Sequence, residues 1–172
     1  MAAMLTTADV GFIEMRIARV VGFGRPLAEE EFSCVVLDEV SGGRQLVIEI
    51  GQNEAFYLAA SLQDRQFGRP MTYQFAAALV RGLGGHVRQV RIDRMVDGAV
   101  AATVEVEGPP GVQLIDARAS DALNLGAITA APIFVGPEVL DDCERRLNDS
   151  PAARLLRLAL TAPPMTITRE QA

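Results

Sequence analysis

The sequence predicts an α+β domain with a mixed, mostly antiparallel sheet and helices packed on one side. The chain has 172 residues, which suits a single domain with its own hydrophobic core. Apolar side chains recur with period two in several short segments and with period 3.6 in several others. These segments do not alternate as strand and helix along the chain, so a doubly wound parallel sheet is excluded.

Three strands are predicted at the start of the chain. Residues 12 to 21 alternate between apolar and polar side chains, and two further alternating runs follow at 32 to 40 and 46 to 50. The even-numbered apolar residues of these two runs share a face of the sheet only if the loop between the two strands has an odd number of residues. We therefore expect residues 41 to 43 to form a three-residue hairpin loop with Gly43 left-handed.

A pair of helices is predicted next, because the apolar period changes to 3.6. The first covers residues 52 to 64 and starts near Gly51 or Asn53, and Thr72 is predicted to cap the second. Gly84 and the glycine after it provide a left-handed stop for the second helix. One face of this helix carries large apolar side chains, which are Phe75, Leu79 and Leu83.

After the helix pair, apolar and polar residues alternate again, which is typical of strands. Val90 and Ile92 are predicted to point toward the core, on the same face as Ala102 and Val104. This arrangement again requires a loop with an odd number of residues. We therefore expect residues 96 to 98 to form a three-residue hairpin with Gly98 left-handed. The remaining predicted elements are a strand at 112 to 117, a helix at 120 to 130, a short strand at 132 to 135, and helices at 137 to 147 and 151 to 160. Residues 1 to 148 are predicted to form the domain, and residues 149 to 172 a C-terminal helix and a proline-broken tail.

Composition and charge limit the partners of the protein. The net charge is −6, so the overall field repels polyanions and disfavours nucleic-acid binding. All sixteen basic residues are arginines, which suits phosphate recognition but also follows from a compositional bias of a genome. Cys34 and Cys143 form no CxxC pair, so a structural disulfide or zinc site is not expected. Neither a leader peptide nor an apolar run of membrane-spanning length is evident, which predicts a cytoplasmic protein without a membrane partner.

Four stretches carry polar residues or motifs in a specific order: "IEIGQNEA", "GRPMT", "IDARASDALNLG" and "APIFVGPEVLDD". Together they resemble the signatures of the bifunctional nuclease domain family, from near the start of the chain to about Leu147. The resemblance implies an α+β fold, self-association into a homodimer or larger assembly, and nuclease activity on DNA and RNA. It also implies that the four motifs belong to one site.

The sequence departs from the family pattern at three places. Glu49 stands where an aromatic residue is usual, Ala119 where a proline is usual, and Tyr73-Gln74 where a His-Asp pair is usual. Neither Tyr73 nor Gln74 can supply a metal-bound carboxylate or a general base at neutral pH.

Three carboxylates at the ends of predicted elements are the candidate catalytic and metal-binding residues: Glu54, Asp116 and Asp121. Clustered carboxylates bind hard cations such as Mg²⁺ or Mn²⁺, which activate water for phosphodiester hydrolysis. Structural roles remain open, because Asp116 has the parity to pair with Arg118, and first-turn carboxylates suit helix dipoles. The candidate substrate-binding residues are Arg69, Thr72, Arg118, Ser120 and Asn124. We expect Glu54, Arg69, Asp116, Arg118 and Asp121 to converge in one cluster.

Three functions are consistent with these residues. The first is a metal-dependent nuclease. The second is a non-catalytic oligomeric module that binds a ligand or partner between the helix pair and the sheet. The third is small-molecule chemistry in the same cleft, lined by Phe56, Tyr57 or Tyr73. His86 has no motif partner and is interpreted as a surface residue.

Overall fold

A computed structural model describes residues 11–23, 32–96, 99–149 and 153–167. Within these residues the chain forms seven strands and five helices. The strands are β1 (Ile13–Phe23), β2 (Phe32–Glu39), β3 (Gln45–Ile50), β4 (His86–Val96), β5 (Ala99–Gly108), β6 (Gly111–Arg118) and β7 (Ile133–Val135). The helices are α1 (Gln52–Leu62), α2 (Thr72–Gly82), α3 (Ala119–Thr129), α4 (Pro137–Asp149) and α5 (Ala153–Thr161).

The strands form one sheet in the order β3-β2-β1-β7-β4-β5-β6. Neighbouring strands are antiparallel except for β4 and β7, which are parallel. The short strand β7 therefore joins a three-stranded N-terminal half to a second antiparallel half. The predicted α+β class with a mixed, mostly antiparallel sheet is confirmed.

The helices lie on both faces of this sheet rather than on one. Ile133 and Phe134 are neighbours on β7 and therefore point to opposite faces, yet both are buried. Helix α3 packs on the Ile133 face, where a Cβ at Gly126 would lie 3.7 Å from that side chain. Helix α1 lies against α3, β1 and β2, whereas α4 follows β7 and contacts β3, β4 and α5. The second pair of helices thus covers the opposite face.

The first hairpin differs from the prediction. Leu37 pairs with Leu46 and Asp38 pairs with Gln45, so an even number of residues lies between the last paired positions. The predicted three-residue loop is wrong, and Gly43 does not have a positive φ. Because β2 is buried on both faces, its apolar residues do not reveal which set shares a face with β3.

The second hairpin confirms the predicted faces but not the predicted loop. Val90 pairs with Val104 and Ile92 with Ala102, as expected, but Val96 pairs with Ala99, so the predicted three-residue loop is wrong. The register shifts by one residue between Ile92 and Arg94, which is a β-bulge. This extra residue puts Val90 and Ile92 on the face of Val104 and Ala102, so a loop with an odd number of residues is not needed. The predicted conformation of Gly98 lies outside the described residues.

Apolar side chains are exposed on α2 and on β6. Phe75, Leu79 and Leu83 are 56%, 50% and 78% exposed, so the apolar face of α2 points to solvent. The helix ends as predicted, with Gly84 at a φ of 78°. Strand β6 lies at the edge of the sheet, and Leu114 is 63% exposed. The large apolar side chains of β6, Val112, Leu114 and Ile115, are therefore exposed rather than part of the core.

The segment after α4 is part of the hydrophobic core. Ala159 on α5 and Ile167 beyond it are both fully buried. The Arg19 guanidinium donates to the carbonyl groups of Ala159 and Leu160, which fixes the end of α5 to β1. The Met165 N–H donates to the Val20 carbonyl, so the chain continues alongside β1. No helix among the described residues is long and apolar enough to span a membrane.

Candidate functional site

Two strand-to-helix junctions bring three of the predicted site residues together. Glu54 lies in the first turn of α1, directly after β3, and Asp121 lies in the first turn of α3, directly after β6. Arg118 Nη2 donates to Glu54 Oε1 at 2.9 Å and to Asp121 Oδ1 at 3.0 Å. Arg118 Nε also donates to Asp121 Oδ2 at 2.8 Å. The predicted convergence of Glu54, Arg118 and Asp121 is confirmed.

Tyr73 completes this group through a contact with Asp121 that the sequence did not predict. Tyr73 lies in the first turn of α2, and its hydroxyl donates to Asp121 Oδ1 at 2.7 Å. The sequence places Tyr73 in the lining of the cleft and marks positions 73 and 74 as a departure from the family pattern, but neither signal predicts this hydrogen bond. We refer to Glu54, Tyr73, Arg118 and Asp121 as the Arg118 cluster.

The electrostatics of the Arg118 cluster favour fixed protonation states. Burial alone would raise the pKa of Asp121, but the hydrogen bonds from Arg118 and Tyr73 outweigh it and hold that pKa below its ordinary value. Burial and the hydrogen bond to Asp121 raise the pKa of Tyr73, so the hydroxyl remains a donor. The hydrogen bonds and charges of Asp121 and Glu54 raise the pKa of Arg118. Asp121 is therefore ionised, Tyr73 is protonated and Arg118 is charged at neutral pH.

Asn124 connects the two helices beneath the Arg118 cluster. It is fully buried, and its Nδ2 donates to the Glu54 carbonyl at 3.1 Å and to the Ser120 carbonyl at 2.9 Å. The amide thus fixes the first turn of α3 to the first turn of α1. Asn124 is a positioning residue for Glu54 rather than a surface residue that reaches a ligand.

The start of α2 is capped differently from the prediction. Met71 is the N-cap residue, and Thr72 is the first helical residue and is exposed. The Gln74 side-chain oxygen accepts a hydrogen bond from the Met71 N–H at 3.0 Å. This is the reverse half of a capping box, and it orients the turn that presents Tyr73.

Three predicted site residues do not join the cluster in the predicted way. Asp116 pairs in register with Thr103 and points to the face opposite Ile115, and it forms no ion pair with Arg118 within the described parts of the chain. Arg69 is exposed between α1 and α2 and contacts none of the described cluster residues. Ser120 is buried at the second position of α3 but does not cap that helix, whose N-cap residue is Arg118.

The predicted metal site is not formed by these side chains. A site of Glu54, Asp116 and Asp121 requires three carboxylates on one side of β6, and Asp116 points away. The other two carboxylates are occupied by Arg118. Across residues 11–23, 32–96, 99–149 and 153–167, no group of three His, Cys, Asp or Glu side chains is close enough to hold a metal ion.

The Arg118 cluster lines one end of a cleft of about 610 Å³ between α1, α2 and α3 and the outer strands β5 and β6. We call it the apolar cleft, because most of its remaining lining is aliphatic. Those side chains are Ala76, Val80, Val104, Val106, Ile115, Ala117, Ala122 and Leu125. Tyr57 also lines the cleft, with its ring edge-on to the Tyr73 ring at a centroid distance of 5.8 Å. The predicted cleft between the helix pair and the sheet is therefore present.

Arg118→Met should destabilise the protein by about 1 kcal/mol at pH 7, because two carboxylates lose their shared cation in a partly solvated site. The depressed pKa of Asp121 means that its ionised form stabilises the fold above its unfolded pKa, near pH 4. This stabilisation is lost as the pH falls through the lower folded pKa. Urea unfolding of wild type and variant should therefore differ most at pH 7 and converge in acid.

The matched control for that experiment is Arg145→Met. Arg145 also forms an exposed (i, i+3) ion pair, with Asp142, but makes no second carboxylate contact among the described residues. We expect little change in unfolding midpoint at either pH. An Arg118→Met difference that is independent of pH would contradict the proposed linkage.

Comparison with known proteins agrees with the motifs and the fold. Residues 35–148 match the bifunctional nuclease domain model. Two uncharacterized proteins of Mycobacterium tuberculosis, from strains CDC 1551 and H37Rv, are each 32% identical over 122 residues. The alignment covers 71% of this chain and 72% of each relative. The chain therefore belongs to the bifunctional nuclease domain family.

Proposed function

We propose that the protein binds a small, largely apolar organic molecule in the apolar cleft, with the polar end of that molecule at the Arg118 cluster. One observation carries this proposal: a cleft of about 610 Å³ combines an aliphatic wall with a single polar end. Clefts of about 300 to 1,000 Å³ with few, well-placed polar groups are typical of small-molecule sites.

The chemistry of the polar end supports binding better than hydrolysis. Asp121 accepts three hydrogen bonds, two from Arg118 and one from Tyr73, and its lowered pKa makes it a weak base. Tyr73 and Arg118 are both held as donors. Such a fixed network orients a ligand but does not readily exchange protons with it.

Charge also disfavours nucleic acid as the ligand of this cleft. The Arg118 cluster holds two carboxylates for one guanidinium, and the whole chain carries a net charge of −6. A polyanion would be repelled by both. An organic molecule with a hydrogen-bonding group has no such penalty.

Ala76→Phe tests this proposal. Ala76 lines the apolar cleft from α2, so a phenyl ring there fills the space that a ligand would take. The probe is 8-anilinonaphthalene-1-sulfonate, an amphipathic dye with an aromatic body and one sulfonate group that fluoresces in dry sites. We expect saturable binding to the wild type and at least tenfold weaker binding to the variant.

Ala78→Phe provides the matched control, because Ala78 lies on the same helix but is exposed. This variant should bind the dye as the wild type does. Equal binding by all three proteins would place the dye on the exposed surface of α2 and would count against the cleft.

Phosphodiester hydrolysis with Mg²⁺ or Mn²⁺ is the second candidate function. It is favoured by the family match over residues 35–148 and by the two carboxylates that meet at Arg118. The assay is cleavage of single- and double-stranded DNA and RNA with each metal, by the wild type and by Asp121→Asn. Cleavage that Asp121→Asn abolishes while the melting temperature is retained would favour this candidate over binding alone.

We also propose that the protein self-associates. Strand β6 is the edge strand of the described sheet, so its outer backbone groups pair with no other described strand, and it carries the exposed Leu114; α2 offers exposed Phe75 and Leu79. Light scattering at low micromolar concentration should give a mass of at least twice 18.5 kDa. Leu114→Lys should lower that mass, because a charged edge strand resists pairing. A wild-type mass near 18.5 kDa would contradict the proposal.

A further inference from the structure

A second cleft, of about 500 Å³, lies on the other side of Arg118. We call it the edge cleft, because the end of β3 forms one wall and the adjoining ends of β5 and β6 form another. Its lining comes from seven elements and a junction between two of them: Ser33, Ile48, Glu49, Ile50, Gly51, Gln52, Ala99, Val100, Arg118, Ala119, Ser120 and Arg146.

Two helices begin at the edge cleft. Gly51 and Gln52 start α1, and Arg118, Ala119 and Ser120 start α3. Neither helix has a side-chain cap, because the N-cap residue of α1 is a glycine and that of α3 is an arginine, which is not an acceptor. The first-turn N–H groups of a helix have no partner within the helix, and they carry its positive dipole end. Two such ends at one cleft favour an anion.

Two largely buried serines line the same cleft. Ser33 is 5% exposed and Ser120 is 8% exposed. Neither side chain hydrogen bonds to another residue in the parts of the chain that the structure describes. Neither hydroxyl oxygen is among the fully buried side-chain atoms that lack a partner, so both can be reached from the cleft and can donate to a ligand there.

The charged side chains of the edge cleft are Arg118, Arg146 and Glu49. Arg118 is already paired with Glu54 and Asp121, whereas Arg146 forms no ion pair with any residue that the structure describes, and Glu49 is exposed at the rim of β3. Arg118 uses Nε and Nη2 for Asp121 and Glu54, while Nη1 donates to no described residue. Its side chain is 68% exposed, so Nη1 is accessible to a ligand.

We propose that the edge cleft is a binding site for a small anion, such as the phosphate or carboxylate group of a metabolite. The anion accepts hydrogen bonds from the first turns of α1 and α3, from the hydroxyl groups of Ser33 and Ser120, and from Arg118 and Arg146. This site is separate from the apolar cleft, and only Arg118 borders both. It therefore stands or fails independently of the proposed ligand of the apolar cleft.

Titration with inorganic phosphate, monitored by backbone amide NMR, tests this proposal directly. Saturable shifts should appear at the amides of Gln52, Asn53, Ala119 and Ser120, which lie in the two first turns. Acetate in a parallel titration distinguishes a carboxylate site from a phosphate site, and sodium chloride at matched ionic strength is the control. Equal shifts with chloride, or no saturable shift with phosphate or acetate, would overturn the proposal.

Arg146→Gln and Arg145→Gln form the matched variant pair. Both remove one positive charge from α4, but only Arg146 lines the edge cleft. We expect Arg146→Gln to raise the Kd for the anion about tenfold, because one charged donor is lost, and Arg145→Gln to leave it nearly unchanged. Ser120→Ala should weaken binding as well, while its amide spectrum shows that the fold is intact. Equal Kd values for the two arginine variants would contradict the assigned site.

Discussion

Asn124→Asp should destabilise the protein by about 4 kcal/mol at neutral pH, since it buries a carboxylate without a donor. The native amide is fully buried and donates to two carbonyl groups, those of Glu54 and Ser120. A carboxylate in its place faces both carbonyl oxygens and repels them. Urea unfolding followed by circular dichroism measures the change in the free energy of unfolding.

The same variant should show a characteristic pH dependence. Burial raises the pKa of the new carboxyl group above its unfolded value, so the protonated form is favoured in the folded protein. Its destabilisation should therefore be largest at neutral pH and decrease as the pH falls toward 4, where the protonated group can donate one hydrogen bond.

Asn53→Asp is the control for this substitution. Asn53 is exposed in the first turn of α1, where a carboxylate interacts favourably with the helix dipole. The free energy of unfolding should change little or increase slightly. Comparable destabilisation by both variants would show that the buried amide of Asn124 does not connect α1 to α3 as described.

Ile167→Ala should lower the free energy of unfolding by about 3 kcal/mol, the usual cost of truncating a fully buried isoleucine. Ile167 is 2% exposed and lies beyond α5. Its carbonyl accepts a hydrogen bond from Arg65 Nη2 at 2.7 Å, and its N–H donates to Gln63 Oε1 at 3.2 Å. The residue thus fixes the segment after α5 to the residues that follow α1.

Leu83→Ala is the matched truncation on the surface, because Leu83 is 78% exposed. Its unfolding midpoint should remain close to that of the wild type in urea. If Ile167→Ala were equally mild, the segment after α5 would contribute little to the core. The expected difference means that residues outside the 35–148 family match are needed for full stability.

Local sequence patterns were sufficient for the elements themselves. Each of the twelve strands and helices lies within a few residues of its predicted position, because the apolar period distinguishes strand from helix. The stop at Gly84 was predictable because the left-handed conformation there favours glycine. The order of the motifs was sufficient to identify the family.

The pattern of apolar residues was insufficient where the same residues are compatible with two strand registers or with two orientations of a helix. Val35 and Val36 are both fully buried, so alternation along β2 could not determine its register with β3. The bulge between Ile92 and Arg94 has no signal in side-chain polarity, and it removed the need for an odd loop. Phe75 and Leu79 have the spacing of a core-facing stripe, yet they face solvent.

For the candidate site, the sequence by itself determined the family and placed Glu54, Arg118 and Asp121 at helix starts, since local chemistry favours polar residues there. Only the tertiary structure decided that Tyr73 donates to Asp121 and that Asp116 faces the other way. The reason is that the path of the chain at the junction of β6 and α3, and the packing of α2 beside it, set those directions. Side-chain direction at such a junction depends on contacts between elements distant in sequence, which no local period records.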